Sequence, residues 1–490
     1  MKKTNVVIIH TDQHRQECLS IYGNKDIKTP HIDEIASDGI LYSNHFCCFP
    51  ICTPSRYSLL TGMYASAHRG LDNNCTLPQG LPTFAKELRD AGYRTAAVGK
   101  MHFTPAYLDV GFDHLTLAEQ DGIGRFDDDY HKYLRERGLL DEIDLYDQRH
   151  EYRKNAPAGY FDSFGAGRSD LDCEHHSTTY ITNMAKKQID QFAAEGGNLL
   201  MVGYIKPHHP MDPPDPYAGM YDPGSLTLLD GYTEHIPDID LENGRHYFDF
   251  TKLDENKLRF VMSRYYGAIT HIDDGVGSII NKLKEKGIYD DSLIIFTSDH
   301  GEYLGFKHLL LKSGYMYDPL VKIPLIIKYP VSWRKKGTDD SLSSNIDVAK
   351  TILSVCGVNP PRSMQAFDLS RAERREAAIC EFPFGNHDYM VRTKEYKLLI
   401  SGNAKKYRLF DLASDRLETT DISNDVKYAD VIAELKDLLI EEMLMRSNNS
   451  AYRNPREPLA GGITQEEMES GRESMIMYMQ KKSTVKPKYD

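Results

Sequence analysis

Asn5-Val6-Val7-Ile8-Ile9-His10-Thr11-Asp12-Gln13 decides how the rest of the chain is read. Its unbroken apolar run is short, and Asp12-Gln13 closes it. A strand wet on one face would alternate apolar with polar, so a continuous run marks a strand buried on both faces. Similar short runs recur at 95–98, 198–204, 293–297 and 323–327. Between them lie helical patterns. Residues 30–38 place Ile32, Ile35 and Ala36 at helical spacing, and 83–91 does the same with Phe84, Leu88 and Ala91. Residues 178–194 and 260–286 read as longer helices. Helix–strand alternation of this kind predicts an α/β fold: a large, mainly parallel sheet sandwiched by helices.

The pattern changes near residue 375. Short strand candidates follow at 389–392, 396–400 and 407–411, then a helix over 428–445. The reading is a larger α/β domain over 1–375 and a smaller α+β domain over 376–490, with a four-stranded antiparallel sheet, a helix and a tail. Residues 121–168, rich in charge, Tyr and Gly, read as a long insertion loop near the active face.

The 490 residues are 40% apolar and 27% charged, as in soluble globular chains. A formal charge of −13 argues against nucleic acid as a partner, because duplex binding needs a dense Lys/Arg face. It leaves room for a small anionic substrate in a locally positive pocket. No stretch is apolar for long enough to span a bilayer, so no membrane partner is expected. The first apolar run is too short for a signal peptide and lacks a small-residue cleavage site, so the expectation for the chain as given is cytoplasmic, with a trimmed secretory signal as the alternative. The eight cysteines are sparse and show no paired metal spacing.

Ligand sites of open α/β sheets lie beyond the carboxyl ends of the strands. Four segments stand at such places: Asp12-Gln13, Cys52-Thr53-Pro54-Ser55-Arg56, Lys100-Met101-His102 and Asp299-His300. Taken singly, Asp12 reads as a turn residue and Asp299 as a helix cap. Together, each after an apolar strand, Asp12, Gln13, Asp299 and His300 read as the shell of one divalent cation. Their oxygen-rich set favours Ca²⁺, with Mg²⁺ or Mn²⁺ as alternatives.

Cys52-Thr53-Pro54-Ser55-Arg56 continues to Thr61-Gly62, and every fixed position of C/S-x-P-S-R-x-x-x-x-T-G is met. The segment resembles the motif of type I sulfatases, within the alkaline-phosphatase-like superfamily. Gly99-Lys100-Met101-His102 and Pro207-His208-His209-Pro210 resemble that family's G-K-x-H and P-H-x-P. Residues 305–312, ending in Lys312, resemble its stretch with a substrate-facing Lys, and 409–415 its C-terminal LYDLxxD strand.

The resemblance implies that Cys52 is oxidised to formylglycine (3-oxoalanine) by a formylglycine-generating or anaerobic sulfatase-maturating enzyme. The hydrated aldehyde then attacks a sulfate monoester, of a small molecule or a saccharide, beside one metal ligated by Asp12, Gln13, Asp299, His300 and residue 52 itself. Arg56 steadies the formylglycine, and Lys100 and Lys312 hold the ester's anionic oxygens. His208 protonates the leaving alcohol while touching substrate, and His102 takes the proton that restores the aldehyde. His308 is a further substrate contact. Two departures stand out: Gln13 where many sulfatases have a second Asp, and His300 where many have Asn. Both variants occur in the branch that hydrolyses phosphonate monoesters and phosphodiesters, which is the alternative activity. A non-catalytic binding protein is the remaining class, and the complete residue set speaks against it.

Overall fold

The computed structural model describes residues 3–120, 124–148, 153–238, 240, 248–312, 314–371, 373–382, 388–402, 406–445, 469 and 473. The expected tail beyond 448 therefore lies outside the described residues, apart from those two positions.

Eight strands form the main sheet: β1 (Val6–Asp12), β2 (Ile40–Phe46), β3 (Arg94–Gly99), β4 (His114–Leu117), β5 (Asn198–Pro207), β6 (Leu293–Ser298), β7 (Leu325–Lys328) and β8 (Gly337–Ser344). Their order is β4-β3-β5-β1-β6-β7-β2-β8. Every neighbouring pair is parallel except those made by β7, which runs against both β6 and β2. The large, mainly parallel sheet is as the sequence predicts.

Both faces are covered, and the side chains of β1 show how. Val7 and Ile9 join one apolar cluster, with the Ser177–Asp190 and Glu255–Glu285 helices. Val6 and Ile8 join the other, with the Phe84–Asp90 and Ile346–Val355 helices. Alternate residues of a strand point to opposite faces, so an unbroken apolar run needs a core on each side. Local chemistry sets the helix starts. Thr83 accepts from Lys86 N, and Asp254 accepts from Lys257 N, each satisfying a donor that the first turn leaves free.

The second sheet is an antiparallel meander of β9 (Ala378–Phe382), β10 (Asp388–Arg392), β11 (Tyr396–Ser401) and β12 (Lys406–Asp411). Ile379, Val391, Leu398 and Leu409 pack with Leu435 of the Ala429–Ile440 helix and with Cys48, Tyr64 and Ile346 of the larger part.

Three expectations change. Residues 121–168 are not one loop, because helices Asp129–Glu136, Glu142–Gln148 and Ala158–Asp162 occupy much of them. The expected helix over 428–445 is regular only over Ala429–Ile440 and widens to a π turn over Glu441–Met445. Strands β2, β4, β8 and β9 have no counterpart among the strands read from the sequence. β4 and β8 are the sheet's edges, where polar residues are tolerated on the open side.

Candidate active site

β1, β3, β5 and β6 deliver Asp12, Lys100, His208 and Asp299 to one end of the sheet, at or just beyond their carboxyl ends. The Cys52–Thr61 helix stands over that end with Cys52 as its first residue.

Each fixed position of the motif has a duty here. Ser55 Oγ donates to Asp299 O at 2.6 Å and accepts from Asn345 Nδ2 at 2.9 Å, fastening the helix to the end of β6. Arg56 is 1% exposed, and it donates from Nη2 to Asp12 Oδ2 and from Nε to Asp299 Oδ2, both at 2.9 Å. That bridge occupies Oδ2 of each carboxylate; Asp12 Oδ1 faces Cys52 Sγ, while Asp299 Oδ1 accepts from Gln13 N and His300 N at 3.0 and 2.8 Å. Thr61 Oγ1 donates to Tyr57 O, and Gly62 closes the helix at φ 65°, in the left-handed region that suits glycine. Asn73 accepts from Thr53 N through Oδ1 at 3.0 Å and so caps the helix that carries Cys52.

Cys52 Sγ is buried at the middle of the cluster. Lys312 Nζ donates to it at 2.9 Å, His300 Nε2 lies at 3.3 Å and Asp12 Oδ1 at 3.7 Å. Burial and the Asp12 carboxylate push the thiol up to about 11, so an unmodified Cys52 is a poor nucleophile near neutral pH. Burial alone would raise Asp12, but Lys100, His208, Arg56 and Lys312 together hold it well below the usual carboxylate range. Burial would lower Lys312, and Cys52, Asp12 and Asp299 outweigh it to push the ammonium up.

The donor set fits a cation. Asp12, Cys52, Asp299 and His300 each bring a ligand atom within 4.8 Å of the others. Gln13 Nε2 donates to Glu302 Oε2, and its buried Oε1 has no hydrogen-bond partner among the described residues. His300 Nδ1 lies 2.9 Å from Gly301 O. A carbonyl only accepts, so Nδ1 carries the hydrogen and Nε2 turns its lone pair to the cluster, as a metal-ligating imidazole must. Two carboxylate oxygens, one amide oxygen and one imidazole nitrogen make a hard, oxygen-rich shell.

Lys100 Nζ is 2.8 Å from Asp12 Oδ2 and 3.0 Å from Gln120 Oε1. His102 is buried at φ 57°, with neither ring nitrogen bonded among the described residues. Burial, Lys100 and Arg56 hold it well below the usual imidazole range. Its N–H is held by Glu119, whose carboxyl burial pushes up to about 7. His208 Nδ1 donates to His209 O at 2.6 Å, and its Nε2 lies 2.8 Å from Lys312 Nζ. His209 stacks on His208 and reaches Asp147 instead.

Ten of the eleven residues singled out in the sequence therefore lie in this cluster or directly against it. His308 does not: Nδ1 is engaged by Thr233 O at 2.8 Å and Nε2 by Phe250 O at 2.9 Å. It ties Thr233 to Phe250, and the expected substrate contact is replaced by a backbone clamp. Glu119, Gln120 and His10 were not foreseen. His10 lies buried in β1, its ring nitrogens unbonded among the described residues, and burial and Arg56 lower it to about 3. Its place directly after the apolar run of β1, two residues before Asp12, was the one available signal for it.

The family model described as Sulfatase matches residues 4–358, and that of N-sulphoglucosamine sulphohydrolase, C-terminal, matches 307–444. An arylsulfatase of Clostridium perfringens is 28% identical over 90% of this chain and 94% of its own. An N-acetylglucosamine-6-O-sulfatase of Bacteroides thetaiotaomicron is 26% identical over 91% and 88%. A phosphonate monoester hydrolase from Silicibacter pomeroyi superposes with TM-score 0.74, at 24% identity over 92% of this chain and 96% of that one, and so shares the fold. A family match across most of the chain, over a motif helix whose fixed positions all have structural work, places this protein in the sulfatase family.

Proposed function

We propose that the chain hydrolyses sulfate monoesters at this cluster, sugar sulfates among them, with residue 52 as nucleophile after oxidation to formylglycine. One observation carries the reading most: Lys312, 260 residues along the chain, has its ammonium 2.9 Å from Cys52 Sγ, beside Asp12 and His300. A thiol kept as a structural core residue has no need of a half-buried lysine, a histidine and a carboxylate around it.

Oxidised residue 52 would supply a hydrated-aldehyde hydroxyl as nucleophile, delivered by a formylglycine-generating or anaerobic maturating enzyme. A divalent cation held by Asp12, Gln13, Asp299 and His300, Ca²⁺ before Mg²⁺ or Mn²⁺, would neutralise the ester's charge and lower the nucleophile's pKa. The chain's own residues do the rest. Lys100 and Lys312 hold the anionic oxygens, in a centre where three cations (Arg56, Lys100, Lys312) face two carboxylates. Arg56 fixes the Asp12 and Asp299 carboxylates through their Oδ2 atoms. His208 shares a proton with Lys312 across 2.8 Å. Because its Nδ1 hydrogen is committed to His209 O, the shared proton rests on Lys312, and the pair delivers it to the leaving oxygen. His102, neutral and unbonded at its ring, is placed to accept a proton.

The sugar preference is supported by the relatives named for sugar sulfates. Gln13 and His300 favour a second reading, a phosphonate monoester or phosphodiester hydrolase at the same centre. The catalytic unit is read as residues 1–375 and the smaller unit as 376–490, in keeping with a second sheet that begins at Ala378. No helix among the described residues is long and apolar enough to cross a membrane.

The test is chain co-expressed with a maturating enzyme and loaded with Ca²⁺. The Cys52 peptide is expected about 18 Da lighter than its thiol form, and 4-nitrophenyl sulfate is expected to turn over faster than a phenylphosphonate monoester. Cys52→Ala should lower kcat by at least about 10³-fold. An active protein with an unmodified thiol sinks the nucleophile, and a phosphonate preference of orders of magnitude selects the second reading.

A further inference from the structure

Lys100 must carry a full positive charge toward substrate, yet it already lies 2.8 Å from the Asp12 carboxylate. Its second partner is therefore informative. Gln120 Oε1 accepts from Lys100 Nζ at 3.0 Å, and the whole Gln120 side chain is buried, at 1% exposure. Its Nε2 donates to Asp144 Oδ1 at 3.0 Å and to His209 O at 2.9 Å. A carboxylate and a carbonyl can only accept, so they fix which end of the amide faces each way. The oxygen end has no choice but Lys100. Asp144 is held in turn by buried Arg125. His209 O also receives His208 Nδ1 at 2.6 Å. One carboxamide thus joins Lys100 to the carbonyl that orients His208.

We propose that Gln120 is a positioning residue for the anion-holding end of the site: it locks Lys100 with a neutral acceptor and sets the His208–His209 turn from the same side chain. This rests on the reading of Lys100 as a contact for the substrate's anionic oxygens. Neutrality is the point. A Glu of the same shape could accept from Lys100 equally well, but it would set a second carboxylate against the same ammonium and face Asp144 at hydrogen-bond distance. Lys100 would then be spent on protein anions rather than substrate.

The experiment compares wild type, Gln120→Glu and Gln120→Ala in the matured, Ca²⁺-loaded protein, with two readouts. The first is binding of inorganic sulfate by calorimetry, which needs no turnover. The second is kcat/KM on 4-nitrophenyl sulfate and on the phosphonate monoester. Gln120→Glu is expected to weaken sulfate binding about tenfold or more and to lower kcat/KM on whichever ester the enzyme prefers by about 10–100-fold. Gln120→Ala is expected to weaken sulfate binding and to lower turnover by similar factors. Unchanged sulfate affinity in both variants overturns the proposal. If Gln120→Glu does not fold, Gln120→Ala alone decides, with turnover within about twofold of wild type as the contrary result. A wild type that binds sulfate but hydrolyses neither ester defeats the proposed function and leaves the binding comparison to judge Gln120.

Discussion

The proton shared by His208 and Lys312 can be located by leaving-group chemistry. An alkyl sulfate departs as a strongly basic alkoxide and needs that proton, whereas 4-nitrophenolate leaves without it. Lys312→Ala should therefore lower kcat on an alkyl sulfate by about 10²–10⁴-fold and on 4-nitrophenyl sulfate by a factor at least about ten times smaller. Equal losses would mean that Lys312 only holds the anion. This residue was also the least legible of the set, since a lysine after Leu309-Leu310-Leu311 reads as ordinary surface. Its neighbour His308 resembles a site residue in sequence and proves a backbone clamp. Asp12, Cys52, Arg56, Asp299 and His300 were legible because motif spacing and strand ends both point to them. Glu119 and Gln120 were not, because they follow the four-residue edge strand β4 and carry no motif of their own.

At the scale of elements, strands with an unbroken apolar run were readable and those without were not. β1, β3, β5 and β6 are buried at almost every position, so burial writes itself into composition. β2 reads Ile-Leu-Tyr-Ser-Asn-His-Phe and β8 Gly-Thr-Asp-Asp-Ser-Leu-Ser-Ser, where hydrogen bonding rather than apolar burial recruits the residues. The junction of β9 with the motif region supplies a pH test. Glu381, buried in β9, accepts from Ser66 N at 2.8 Å, and burial pushes its carboxyl from 4.5 to about 7. The folded state thus keeps a proton that the unfolded chain has lost between those values. Stability from this group falls as pH rises through that window, and the full cost is present above about 7. Gln at this position keeps the acceptor and cannot ionise. Glu381→Gln should match wild type near pH 4 and gain about 1–3 kcal/mol near pH 8, read from urea midpoints. A gain on the acid side instead would contradict the assignment.

At the scale of the molecule, the fold class was legible and the strand order was not. Periodicity reports a residue's immediate surroundings, while the order β4-β3-β5-β1-β6-β7-β2-β8 depends on which crossovers reach which edge. Buried charge ties the end of the C-terminal helix to the Ile346–Val355 helix of the larger part. Arg375 is 1% exposed at its side chain and grips Asp347 through Nε and Nη2 at 2.8 and 2.6 Å, while Nη1 pairs with Glu442 after the last long helix. Arg375→Ala would leave Asp347 buried without its partner, and should cost about 3–5 kcal/mol in urea unfolding. A loss below about 1 kcal/mol would show that the pair is wet.

Cys52 is wholly buried in the finished protein, and the last lysine beside it lies 260 residues further along the chain. Translation at about 5–20 residues per second needs roughly 13–50 s to cover that distance. For that interval the thiol has left the ribosome but its enclosure has not been made. Any catalyst that alters residue 52 is therefore in a race with elongation and collapse, and slowing synthesis between these positions should raise the altered fraction without changing a single contact in the native state.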